Sequence, residues 1–159
     1  GHGRAMVDSH LQLPVVADTA EHLRMRDFAP FKALADLPMA MTAHIIYSAF
    51  DADLPATQSP AMIRLIREEI GFEGLLITDD ISMQALGGDL AARCRASLQA
   101  GCDVTLHCNG DLYEMRQVAA ASGALTGFAL RRAEAALAMR RTALPIDIAA
   151  IEADLQALL

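Results

Sequence analysis

The 159-residue chain has no tryptophan, and only 4% of its residues are aromatic, so the stacking platforms on which nucleic-acid bases lie are not expected. Its formal net charge of -7 argues against a phosphate-backbone binder, which needs clustered positive charge. Neither nucleic acid nor membrane is expected as a partner. No apolar run approaches the roughly 20 residues of a spanning helix, and the first residues lack the basic-then-apolar pattern of a signal peptide. The cysteines are Cys94, Cys102 and Cys108, an odd number without C-x-x-C spacing. That indicates neither a disulfide framework nor a structural zinc site; reduced thiols and a cytoplasmic location are expected.

A 53% hydrophobic content is enough for a sizeable core, and no repeat or linker divides residues 1–159, so one domain is expected. Asp18-Thr19-Ala20-Glu21 has capping-box form and predicts a helix from Asp18 to about Leu37, closed by Pro38. Met39 to Tyr47 is a nearly continuous apolar run, the pattern of a strand buried on both faces. Ser59-Pro60 predicts a helix start, with Ile63, Ile66 and Ile70 at helical spacing and Gly71 at its end. A second buried strand runs from Gly74 to Thr78, a helix from Asp89 to Ala100 stops at Gly101, and a third strand covers 104–108. Helices follow at about 111–121, 126–141 and 147–158. Short apolar strands alternating with helices predict a parallel sheet of β-α units, whose function collects at the carboxyl ends of the strands.

The polar residues gather at those ends. Asp79 and Asp80 follow one strand, His107 to Asn109 another, and His44 with Tyr47 lies in a third. By alternation Leu75, Ile77 and Asp79 share one face and Leu76, Thr78 and Asp80 the other, so one carboxylate can face a pocket while its neighbour caps the next segment. Spacing alone also allows both to be N-caps before Ser82. Asp8 and His10 are two apart, so in an extended loop the carboxylate can fix the imidazole tautomer and raise its basicity. The plain alternative is a surface loop bonded to its own backbone. His2, Asp8 and His10 could also be three metal ligands, although loop spacing of this kind is weakly specific. His44 is either a core histidine bonded to a carbonyl or a residue at the strand's mouth.

Gly1-His2-Gly3, four intervening residues and Asp8-Ser9-His10 resemble the end of the signature K-H-[FIL]-P-G-H-G-x4-D-[ST]-H of the β-N-acetylhexosaminidases in glycoside hydrolase family 3. Ala43-His44-Ile45-Ile46-Tyr47-Ser48, Gly71-Phe72-Glu73-Gly74, Thr78-Asp79-Asp80-Ile81-Ser82-Met83 and Ala100-Gly101-Cys102-Asp103 resemble later segments of that family in the same order, and the likeness runs to about residue 110. The resemblance implies an α/β fold, a (β/α)8 TIM barrel of which this chain holds the C-terminal three strands and their helices. It implies Asp79 as nucleophile, His10 as general acid/base and Asp8 as its orienting partner, with His2 and His44 as expected substrate-binding residues. It further implies retaining removal of GlcNAc from cell-wall (anhydro)muropeptides during peptidoglycan recycling, without a cofactor. Because the signature's opening residues do not precede Gly1, an N-terminal barrel segment or a self-association partner is expected to complete the site. The alternatives are a non-catalytic or incomplete fragment, and a family member with another sugar preference or one that transfers the glycosyl group to phosphate.

Overall fold

Two parallel ladders organise the chain where the sequence predicts one sheet. The computed structural model describes residues 3–143 and 145–158. Its larger sheet has the order β2 (Met39–Met41), β4 (Leu75–Asp80), β5 (Val104–Leu106), all parallel, with Met39 opposite Leu75 and Ile77 opposite Val104. The register shifts between Ile77 and Asp80. A separate two-stranded ladder joins β1 (Val15–Val16) to β3 (Ile46–Tyr47).

The run Met39–Tyr47 is therefore not one strand. Thr42 continues the ladder by one bond, its N–H donating to Ile77 O at 2.9 Å. The chain then turns away, because Thr42 and His44 direct their side chains to Thr57 Oγ1 at 2.9 and 2.8 Å. Nor is the first part buried on both faces, since Met39 and Met41 are half exposed.

The helix predicted from Asp18 to Leu37 is also divided. Thr19, not Asp18, is the N-cap, accepting from His22 N–H, while Asp18 Oδ1 accepts from Thr19 N–H. α1 (Ala20–His22) runs into a widened turn, Leu23–Asp27, before α2 (Ala29–Ala33). Pro30 explains the break. It lacks an N–H, and in a continuous helix its ring would press on the carbonyl four residues back.

The later helices follow the sequence closely. α3 (Pro60–Glu68) is capped by Ser59, whose Oγ accepts from Met62 N–H. α4 (Leu90–Ala100) is capped by Asp89 and ends at Gly101. Gly101 has φ +115°, and a Cβ there would also stand 2.9 Å from Ile63 Cγ2, so glycine both ends α4 and lets α3 approach. α5 (Leu112–Ser122), α6 (Gly127–Ala138) and α7 (Ile148–Leu158) follow. No described helix is long and apolar enough to cross a membrane.

α3 and α4 cover one face of the sheet, where Leu76 packs with Ile63, Phe72, Ala100 and Cys102. Burial pushes the Cys102 thiol up to about 12, so it stays protonated and inert. The opposite face of β4 carries Leu75, Ile77 and Asp79, and the three-stranded arc does not close on itself. At the amino ends of β4 and β5, Asp103 accepts from Arg67 Nη2 at 2.7 Å, Arg132 Nη1 at 2.8 Å and Leu76 N–H at 2.8 Å. This network ties α3, α6 and the sheet together.

Candidate active site at the carboxyl ends of the strands

The two carboxylates that end β4 are held differently. Asp80, on the helix-facing side, accepts Ser82 N–H at 2.9 Å and Cys108 N–H at 3.3 Å on Oδ1, and Ser82 Oγ–H at 2.6 Å on Oδ2. Burial pushes its pKa up, but these hydrogen bonds and the nearby charge of His107 outweigh that, leaving a net shift below the ordinary carboxylate value. Asp79, on the other side, accepts one hydrogen bond, from Asp80 N–H to Oδ1 at 2.8 Å. Its second oxygen makes no hydrogen bond to any described residue. Strand alternation thus separates a structural carboxylate from one directed to the open face.

The Asp8–His10 loop folds into a tight turn. Leu11 and Gln12 N–H both reach Asp8 O, at 3.0 and 3.1 Å, and His10 N–H reaches Asp8 Oδ1 at 2.9 Å. His10 Nδ1 donates to the same oxygen at 2.8 Å, which fixes Nε2 as the outward nitrogen. The loop is joined to the segment that follows β4, because Gln84 N–H donates to His10 O at 3.1 Å. The hydrogen bond to Asp8 raises the His10 pKa, and the charges of Asp8, Asp79 and Asp80 add to the effect. The His10 side chain is 72% exposed, so this imidazole is open to a ligand.

The other expected residues lie elsewhere. His44 has no exposed surface. Its Nε2–H donates to Asp80 O at 2.9 Å and its Nδ1 accepts from Thr57 Oγ1 at 2.8 Å. Burial lowers its pKa, so it is a neutral support beneath Asp80, with no face turned toward a ligand. His2 lies outside the described residues. Among the described residues no group of three His, Cys, Asp or Glu side chains could hold a metal ion. A cavity of about 850 Å³ lies by Arg67, Phe128 and Arg132, and another of about 520 Å³ lies behind β2. Neither contains Asp79 or His10, which stand at an open edge.

Sequence reasoning missed Thr57, Ser82 and Glu114, each of which orients a polar residue at this edge. For Glu114 a signal existed. Asp111 and Glu114 have capping-box spacing, and Asp111 does cap α5 through Glu114 N–H. The Glu114 side chain turns instead to His107 and Asn109. Arg93 Nη1, from α4, binds Ile81 O and Met83 O at 2.9 and 3.1 Å and so steadies the loop that follows Asp80.

Residues 1–141 match the Glycosyl hydrolase family 3 N terminal domain. A "Beta-hexosaminidase" of Alkalilimnicola ehrlichii is 46% identical over 114 residues, covering 69% of this chain and 32% of that protein. A glycoside hydrolase family 3 beta-N-acetylglucosaminidase from Paenibacillus sp. superposes with a TM-score of 0.71 at 26% identity, over 93% of this chain and 32% of that one. Native NagZ from Neisseria gonorrhoeae gives 0.64 at 30% identity, over 89% of this chain and 44% of that one. The chain spans about a third of the length of the curated relatives it matches.

Proposed function

Because this chain belongs to glycosyl hydrolase family 3, its three parallel strands forming an arc of a (β/α)8 barrel, we propose that it carries the catalytic groups of a retaining exo-β-N-acetylglucosaminidase. The substrate class is the GlcNAc-terminated (anhydro)muropeptide of peptidoglycan recycling, handled in the cytoplasm. The observation that supports this most is the arrangement at the carboxyl edge: a carboxylate with one oxygen unbonded among described residues, and, on a loop bonded to the segment after the same strand, an imidazole held through Nδ1 by its own carboxylate.

In the first step an oxygen of Asp79 attacks the anomeric carbon. The bond from that carbon to the leaving oxygen breaks, and His10 gives that oxygen its Nε2 proton. In the second step His10 takes a proton from water, the water oxygen attacks the same carbon, and the ester bond to Asp79 breaks. Asp8 holds the ring through both steps and favours the protonated form that the first requires. The displacement needs no cofactor. Further barrel strands would complete the pocket wall opposite Asp79, since β2 and β5 are the edges of an open sheet.

The test compares leaving groups in the active protein. His10→Ala should slow a substrate with a poor leaving group by about 10²-fold or more while sparing an activated aryl β-N-acetylglucosaminide, which departs with little protonation. Equal slowing of both would remove His10 from the acid/base role. Running the aryl substrate with and without phosphate separates hydrolysis from phosphorolysis by whether a sugar 1-phosphate forms.

A further inference from the structure

Two histidines lie at the ends of the sheet strands, and they are not equivalent. His44 has both ring nitrogens paired. His107, one residue beyond β5, has a side chain only 5% exposed, its Nε2 on Glu114 Oε2 at 2.8 Å. Its buried Nδ1 has no hydrogen-bond partner among the described residues. A carboxylate only accepts, so Nε2 carries the proton. An unmet buried nitrogen carries the full cost of its lost hydration, a cost that an apolar side chain here would avoid. Packing alone does not account for a histidine at this place.

The loop after β5 supplies the reason. Asn109 also donates to Glu114 Oε2, Asn109 Oδ1 accepts from Asp111 N–H at 2.9 Å, and Asp111 Oδ1 accepts from Glu114 N–H at 2.8 Å. His107, Asn109, Asp111 and Glu114 are thus wired to one another. Within that loop sits Cys108, whose N–H reaches Asp80 Oδ1 at 3.3 Å. Asp80 is then held by its side chain from Ser82 and Cys108, by its carbonyl from His44, and by its N–H from the Asp79 carboxylate.

We infer that the His107–Glu114 pair is a positioning element for Asp79: it fixes the loop that restrains Asp80, and Asp80 in turn sets where the Asp79 carboxylate stands. The pair repeats the Asp8–His10 arrangement, one imidazole nitrogen on a carboxylate, but with the imidazole buried where that of His10 is exposed. This inference rests on the reading of Asp79 as the nucleophile. Displacement of a reacting group by a fraction of an ångström to 1 Å is enough to slow chemistry substantially.

The experiment measures kcat, KM and the thermal midpoint of His107→Leu and His107→Gln in the active protein, each with and without Asp80→Asn, beside Asp79→Asn. His107→Leu should lower kcat on the order of ten- to a hundred-fold, with KM within about twofold and the midpoint held, because leucine also removes the unmet nitrogen. His107→Gln, whose amide N–H can still donate to Glu114, should recover most of that loss. In the Asp80→Asn background His107→Leu should add little, since both act through one residue. The inference is overturned by an unchanged kcat in His107→Leu, by a kcat loss that tracks a fallen midpoint and is not recovered by glutamine, or by full additivity with Asp80→Asn. If Asp79→Asn keeps its activity, the nucleophile assignment fails and takes this inference with it. If Asp79→Asn is inactive while His107→Leu is normal, only the inference fails.

Discussion

The two ends of the sheet treat charge in opposite ways. At the amino end Asp103, with a side chain 4% exposed, has both oxygens engaged by Arg67, Arg132 and Leu76 N–H. Its charge is neutralised by partners from two helices. At the carboxyl end Asp79 accepts one hydrogen bond from its own neighbour, and His10 shows its outward nitrogen to solvent. A buried charge with both oxygens engaged has little left for a ligand, whereas a charge oriented on one side and open on the other is prepared to react. Reading which side of a carboxylate is occupied therefore separates structural from chemical acid groups within one sheet.

Substitutions at the two ends should separate activity from stability. The largest effect is expected from Asp79→Asn, which should lower turnover by on the order of 10³-fold or more while shifting the urea unfolding midpoint little. A matched loss of stability would show that Asp79 resembles Asp103 after all. Asp103→Ala should do the reverse, costing about 3–5 kcal/mol because it strands the Arg67 guanidinium and the Leu76 N–H without their acceptor. Urea unfolding of that variant showing less than about 1 kcal/mol of loss would place the network outside the stability core.

A smaller and more pointed effect concerns pH. Asp8 raises the His10 pKa, so the imidazole stays protonated to a higher pH than an ordinary histidine. As general acid it should set the alkaline limb of kcat/KM, above the ordinary value of about 6.5. Asp8→Asn removes the anionic partner and should move that limb to lower pH. A profile whose alkaline limb stays in place would mean that His10 is not the group being titrated.

Much of the fold was legible because its signals are local. Ser59-Pro60, Asp89, Gly101 and Asp111 mark helix ends through bonds made within four residues, and the structure puts α3, α4 and α5 close to the expected spans. The alternation Leu75, Ile77, Asp79 against Leu76, Thr78, Asp80 was legible for the same reason, since side-chain parity is a property of the strand itself. What was not legible depends on distant partners. The break after Met41 arises from Thr42 and His44 meeting Thr57, which lies more than a dozen residues away. β1 is only two residues long, too short to show a period, and exists because β3 lies beside it. The role of His107 is set by Glu114 and Asp80 together, one in the following helix and one in the neighbouring strand.

The central claim, that Asp79 and not Asp80 forms the bond to the sugar, is tested most directly by trapping that bond. A 2-fluoro glycoside substrate slows breakdown of the glycosyl-enzyme, and mass spectrometry of the digested active protein locates the adduct. The account predicts a single adduct on Asp79, in the peptide that also contains Asp80, with fragment ions separating the two. An adduct on Asp80 or on any other carboxylate, or complete inactivation with no adduct, would contradict it.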